Sequence, residues 1–220
     1  LRQLNNGSLI WAYIGHGQQL ALDQVRTPSG NYPIFDADDV ALLNCENGSP
    51  VAVFLSCHAG AFDQDDDCLA ERMLVKTGGP VAIACGSRVT MPYGMAVMAV
   101  CTLESWFQQS HKTLGEVFLE GKRNMIAPRQ TGANCEFIDS FATSLGATED
   151  DLAAERLEHV WMFNLLGDPL LRLRHPEMVT VNSPATVDAG HYLEITGRSS
   201  VEGKTTVELV CRRDRLTFRP

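Results

Sequence analysis

Three short apolar runs constrain the fold of this 220-residue chain more than any other feature of its sequence. They lie at residues 9–14, 51–57 and 81–85, and they are rich in the β-branched and aromatic side chains that are typical of buried strands. Residues 63–76, between the second and third runs, begin with acids and continue as a helical pattern that stops at Gly78. A strand, a helix and a strand in succession predict an α/β fold with a mainly parallel sheet.

More helices are predicted after the third apolar run. Residues 91–110 are apolar enough for a long buried helix, and Thr113 with Glu116 forms a capping box that opens the next one. Residues 132–146 are weakly patterned, so we expect a loop with one short element. Residues 148–165 predict an amphipathic helix, which a Gly-Asp-Pro turn then ends.

The last part of the sequence has a different pattern. Short alternating strands, separated by glycine- and serine-bearing turns, are predicted at residues 179–181, 192–196 and 206–210. We therefore divide the chain into an α/β domain, 1–175, and the start of a β domain, 176–220, which is short beside the roughly 100 residues of a β-sandwich. Because the chain starts at Leu1, almost on a core strand, we expect it to be a fragment of a longer protein.

The overall composition excludes several function classes. The chain has 18 basic and 27 acidic side chains and a net charge of −9, so we expect no nucleic acid partner. No apolar run approaches the roughly 20 residues that cross a bilayer, and we expect no membrane span in this stretch. The seven cysteines contain no Cys-x-x-Cys pair, which fits neither a zinc site nor a small disulfide scaffold.

A histidine and a cysteine follow neighbouring predicted strands. His16 comes directly after the first run, and Cys57 ends the second. The carboxyl ends of parallel strands gather at one edge of a sheet, so the two residues could form a catalytic dyad. A histidine can lower the pKa of a thiol and return a proton to the leaving group, while the N–H groups of Gly17 and Cys57 could bind an oxyanion. Alternatively, Cys57 is a small buried side chain and His16 a loop residue.

Several motifs share their order along the chain with a known family. The sequence resembles the gingipain-type cysteine peptidases of the caspase-like fold, in which a His-Gly motif follows one core strand and the nucleophile ends the next. The matching stretches are residues 13–17, 53–57, 60–62, 69–71, 79–88 and 167–173. The resemblance implies a caspase-like α/β/α sandwich that lacks its N-terminal strands here, followed by a truncated immunoglobulin-like β-sandwich.

The resemblance also implies an activity. Cys57 would be the nucleophile and His16 the general acid/base of a cysteine endopeptidase that passes through a thioester. The partner would be a protein or peptide substrate, no cofactor would be required, and the protein would be secreted or at the cell surface.

The loop after the third strand is a candidate substrate pocket. The resemblance places Ser87, Arg88 and Tyr93 there, although the same residues could form a plain strand-to-helix connection. Trp106 and Trp161 lie on predicted helical faces, so we expect both of them in the core.

An acidic run between Cys57 and the next helix has two interpretations. Asp63, Asp65 and Asp67 could bind a structural calcium ion, because oxygen ligands crowded in a loop suit a hard cation. The same run could be a solvated helix start that is stabilised by the helix dipole.

Two other functions remain open. Some members of the resembled family are transpeptidases that attach cargo to the cell surface, and they would use the same Cys–His dyad. A catalytically inactive scaffold or binding module, with the β-sandwich as its working part, would need neither His16 nor Cys57.

Overall fold

The computed structural model describes residues 1–45, 47–109, 111–127, 133–173, 175, 178–188, 190–204 and 206–207. Contacts divide the chain into two compact units, Leu1–Leu173 and Arg174–Pro220, which are described separately. In chain order the elements are α1 (Arg2–Asn5), β1 (Ile10–Ile14), β2 (Gln24–Thr27), β3 (Gly30–Pro33), a 3₁₀ turn (Asp39–Leu42), β4 (Val51–Leu55), α2 (Leu69–Val75), β5 (Ala82–Gly86), α3 (Pro92–Gln108), α4 (Leu114–Met125), α5 (Ala133–Ser144), α6 (Glu149–Met162), β6 (Phe163–Gly167), β7 (Thr180–Asn182) and β8 (Thr196–Arg198).

A four-stranded sheet with the order β1-β4-β5-β6 forms the centre of the first unit. Strand β4 lies parallel to both β1 and β5, and its register with β1 places Ile14 opposite Leu55. Strand β6 runs antiparallel to β5. The predicted mainly parallel sheet is therefore confirmed, with one antiparallel strand at its edge.

The two faces of the sheet pack against different segments, because neighbouring side chains on a strand point to opposite sides. On one face Trp11, Phe54 and Ile83 pack with α2 and with the segment between β1 and β4. On the other face Leu55 and Ala84 pack with α3, α4 and α5. The result is an α/β/α sandwich.

The parallel strands place three connections at one edge of the sheet. The loop after β1 carries His16, the loop after β4 carries Cys57, and the loop after β5 carries residues 87–91. This is the edge at which α/β sheets bind ligands.

Some predicted elements differ from the structure. Residues 133–144 form the complete helix α5 instead of a loop with one short element. Helix α6 stops at Met162, and residues 163–165, predicted to be helical, belong to β6. The antiparallel pair β2–β3 had no counterpart in the sequence interpretation.

In the second unit, β7 and β8 pair antiparallel. Strand β7 is shifted by one residue from its predicted place, and β8 begins where the prediction of 192–196 ends. Most of the strand predicted at 206–210 lies outside the described residues. Among the described residues, no helix is long and apolar enough to span a membrane.

Candidate active site

His16 lies in the loop that follows β1. The Gly15 N–H still donates to the Leu55 carbonyl of β4 (3.2 Å), so the strand pairing extends to the residue before the histidine. The Tyr13 hydroxyl donates to the His16 carbonyl (2.8 Å) and accepts from the Asp23 N–H (3.2 Å). These bonds fix the backbone of His16 while its side chain remains exposed.

Gly17 brings this loop into contact with the end of β4. A Cβ atom at this position would lie 2.5 Å from the Cys57 carbonyl oxygen and 2.7 Å from Ser56 Oγ. Only glycine permits so close an approach, because any side chain would overlap these atoms. The loop of His16 and the segment of Cys57 are therefore neighbours, as the sequence predicts. Within the described residues, no backbone acceptor outside the helices and strands is found for the N–H groups of Gly17 and Cys57.

Cys57 is half-buried and lies two residues beyond the end of β4. Its Sγ contacts three atoms of Thr90: the N–H donates to the sulfur (3.3 Å), and the carbonyl oxygen and Oγ1 each lie at 3.6 Å. Thr90 is only 4% exposed. Sequence reasoning missed this residue, although it lies within the stretch 87–93 from which the pocket residues were chosen.

The chain turns sharply directly after Cys57. His58 has φ +54°, a left-handed conformation that is uncommon for a residue other than glycine. The Ala59 N–H donates to the Cys57 carbonyl (2.7 Å), and the His58 N–H donates to the Arg88 carbonyl (3.1 Å). The turn joins the Cys57 segment to the loop after β5.

A cavity of about 330 Å³ lies beside that loop. Its lining residues are Phe62, Asp63, Ser87, Arg88, Trp161, Met162 and Asn164. The Ser87 hydroxyl donates to the Met162 carbonyl (2.9 Å) and accepts from the Asn164 amide (3.2 Å). Trp161, expected in the core, is 76% exposed here, because α6 turns that face towards solvent; Trp106 is buried as expected.

An ion pair lies at the same cavity. Two guanidinium nitrogens of Arg88 bind the two carboxylate oxygens of Asp63, at 2.9 and 2.5 Å. This hydrogen bonding lowers the pKa of Asp63 and raises that of Arg88. Asp63 is thus an ionised, paired carboxylate.

Tyr93, the third residue assigned to the substrate pocket, does not line this cavity. It lies in the first turn of α3 and donates to Asp139 (2.7 Å). In the part of the chain that the structure describes, no three His, Cys, Asp or Glu side chains are grouped to hold a metal. The binding of calcium by Asp63, Asp65 and Asp67 stays a prediction.

Comparison with known proteins assigns the chain to a family. The profile of peptidase family C25 matches residues 1–174. The chain belongs to peptidase family C25. It is therefore a member of the gingipain-type cysteine peptidase family, as the motifs predict.

Two solved structures share the fold of this chain. The crystal structure of gingipain R, described as an Arg-specific cysteine proteinase, matches with a TM-score of 0.51 and 21% identity, over 90% of this chain and 41% of that one. A structure described as a protease matches with a TM-score of 0.52 and 15% identity, over 89% and 43%. The chain thus spans about two fifths of the length of these structures. No curated protein matches it.

Proposed function

We propose that this C25 chain is a cysteine endopeptidase with Cys57 as nucleophile and His16 as general acid/base. The observation that carries the proposal is the contact of Gly17 with the Cys57 backbone, which joins the two loops at the carboxyl ends of adjacent parallel strands. Cysteine and histidine side chains that come together at such an edge can act as a nucleophile and its base. The substrate is a protein or peptide, and no cofactor takes part.

The reaction proceeds through an acyl-enzyme. The Cys57 thiolate attacks the carbonyl carbon of the scissile peptide, and the C–N bond breaks as protonated His16 gives its proton to the departing amine. His16 then takes a proton from water, whose oxygen attacks the thioester. The C–S bond breaks, the acid leaves, and the Cys57 thiolate is restored beside protonated His16. The N–H groups of Gly17 and Cys57 stabilise the oxyanion in both steps.

The cavity at Ser87 and Arg88 receives a side chain of the substrate. It adjoins the loop that holds both the Cys57 sulfur and the His58 backbone. Because Arg88 already neutralises Asp63, the exposed faces of Phe62 and Trp161 supply most of the remaining contact surface. A substrate side chain with a long apolar stem fits such a lining.

The location of the protein and the nature of its second unit are inferred from the family. We propose that the protein is secreted or held at the cell surface, and that residues 176–220 begin an immunoglobulin-like β domain. Fractionation of the producing cells with an antibody to the chain tests the location.

Alkylation of each thiol near pH 6, followed by mass spectrometry, tests the dyad. An unperturbed thiol with a pKa of about 8.5 reacts slowly there. Burial raises the pKa of Cys68 to about 11, so this residue is an internal reference that stays protonated. We expect Cys57 alone to react fast in the unchanged protein and to slow at least about tenfold in His16→Ala.

A rival histidine provides the matched control. His58→Asn removes the imidazole beside the nucleophile but keeps a residue that tolerates a left-handed backbone. This variant should retain fast alkylation of Cys57.

Two outcomes would contradict the peptidase mechanism and favour a scaffold. In one, Cys57 reacts as slowly as Cys68; in the other, Cys57 still reacts fast in His16→Ala. Product analysis with an added amine separates hydrolysis from transpeptidation, since only a transpeptidase joins the amine to the acyl group.

A further inference from the structure

The peptide unit that joins Thr90 to Met91 lies between the proposed nucleophile and a buried histidine. Its carbonyl oxygen is 3.6 Å from Cys57 Sγ, and its N–H donates to His159 Nε2 at 2.9 Å. The C=O and N–H of a trans peptide lie in one rigid plane and point in opposite directions. A shift at one end of this unit therefore moves the other.

The contacts of His159 assign its ring tautomer. Its Nδ1 lies 2.7 Å from the Glu155 carbonyl oxygen, which can only accept a hydrogen bond. Nδ1 therefore carries the proton, and the lone pair of Nε2 accepts from the Met91 N–H. The residue is fully buried, and its ring stacks on Phe163. An imidazole with both ring nitrogens bonded has a fixed orientation.

The first turn of α3 depends on this ring. Met91 is the N-cap residue, and its side chain caps no backbone N–H group. Helix α6 supplies the acceptors instead: His159 for the Met91 N–H and the Glu155 carboxylate for the Gly94 N–H (2.8 Å). A Cβ at Gly94 would lie 2.4 Å from His159 Nδ1, so the turn packs directly on the imidazole.

Thr90 links the first turn of α3 to the Cys57 thiol. Its N–H donates to Cys57 Sγ (3.3 Å), and its Oγ1 is held by a hydrogen bond to Met95 Sδ (3.1 Å). Thr90 is almost fully buried, so water does not compete for these contacts. The sulfur has a defined position only if the Thr90–Met91 backbone has one.

We propose that His159 is a positioning residue for the nucleophile: its Nε2 holds the Thr90–Met91 peptide so that the Thr90 backbone fixes Cys57 Sγ for attack. This inference rests on the proposed role of Cys57. His159 itself does not touch the thiol or the substrate. Its contribution is to the geometry of the attacking atom.

Two substitutions of similar size test the role. His159→Leu removes the acceptor for the Met91 N–H, whereas His159→Gln offers an amide oxygen at the place of Nε2. We expect His159→Leu to lose at least about tenfold in kcat with KM nearly unchanged, because a small misplacement of a reacting atom is costly. The pH profile of Cys57 alkylation should change with it. His159→Gln should recover most of the kcat and most of the original pH profile. Both variants should lose thermal stability.

The outcomes separate the positioning role from the proposed function. If alkylation of Cys57 in the unchanged protein does not depend on His16, the proposed function fails. If that dependence is intact but Leu and Gln at position 159 behave alike, the histidine only packs and the inference is overturned. Ring ¹⁵N shifts of the unchanged protein test the contact even where a variant does not fold. They should show a proton on Nδ1, and a proton on Nε2 would overturn the inference.

Discussion

Gly17 lies so close to Cys57 that the gap between them is smaller than a methyl group. The atoms that a side chain at this position would meet are a backbone carbonyl and the buried Ser56 hydroxyl, and neither is the free end of a flexible chain. The loop must therefore move away if anything larger than hydrogen is attached. Because His16 precedes Gly17, such a movement would carry the proposed base away from the thiol.

The substitution Gly17→Ala should therefore affect activity more than stability. We expect kcat/KM on a peptide substrate to fall about a hundredfold, with an overpacking cost of about 1–3 kcal/mol in the free energy of unfolding. Steady-state kinetics and urea denaturation measure the two effects. Gly203→Ala is the control, because a Cβ there meets no atom within 4 Å. Equal activity of the two variants would contradict the close contact.

The sequence was informative for residues whose position follows from a strand end. The placement of His16 and Cys57 at one edge of the sheet could be predicted because apolar runs mark the strands and parallel strands share an edge. Thr90 and His159 could not, because their contacts join positions 33 and 68 residues apart: Thr90 with Cys57, and His159 with Met91. The residues around a buried helical histidine do not indicate which backbone N–H will donate to its ring.

At the level of elements, the sequence predictions for α5 and for the end of α6 were wrong because the hydrophobic pattern there does not follow burial. Helix α5 exposes Phe137 and Phe141, by 72% and 59%, so its apolar residues do not mark a buried stripe. Strand β6 begins at Phe163, directly after Met162 ends α6, without a glycine or proline between them. Periodicity cannot locate such a change, whereas sheet pairing with β5 decides it.

A polar cluster joins helices α3, α5 and α6. Arg156 of α6 pairs with Asp139 of α5 (3.2 Å). The Tyr93 hydroxyl of α3 donates to Asp139 and accepts from Arg156. Burial first, and then the hydrogen bond to Asp139, raises the pKa of Tyr93, so its hydroxyl stays protonated and keeps donating. Removing one carboxylate would leave a largely buried guanidinium without its ion pair.

Asp139→Ala should therefore destabilise the protein by about 2 kcal/mol, since hydrogen bonds to charged groups in partly buried sites have this magnitude. Glu120→Ala is the matched control: the Glu120 side chain is about as exposed as that of Asp139, but its partner Arg123, at 3.6 Å, is 66% exposed where Arg156 is 16% exposed. Its loss should change stability by less than about 0.5 kcal/mol. Urea denaturation measures both values. Equal losses would show that burial adds nothing to the Asp139 pair.

At the scale of the whole molecule, the sheet, its packed faces and the proposed site all lie in the first unit. His16, Cys57, Thr90 and His159 fall within Leu1–Leu173, and the match to family C25 ends at residue 174. The second unit contributes short exposed strands, β7 and β8, with no buried side chain among their residues. A core that is complete within one unit can fold without the other.

A chain that ends at residue 175 should therefore keep the alkylation behaviour of the full chain. We expect Cys57 to react at a rate within about twofold of the unchanged protein, still dependent on His16, because the contacts that place its sulfur come from Gly17 and Thr90. The measurement is the same thiol-resolved alkylation, with circular dichroism as the check that the shortened chain is folded. A chain that ends at residue 165 is the control: it lacks the end of β6, which pairs with β5, and should lose both structure and selective reactivity. A folded 1–175 chain in which Cys57 reacts no faster than Cys68 would show that residues beyond 175 help to form the site.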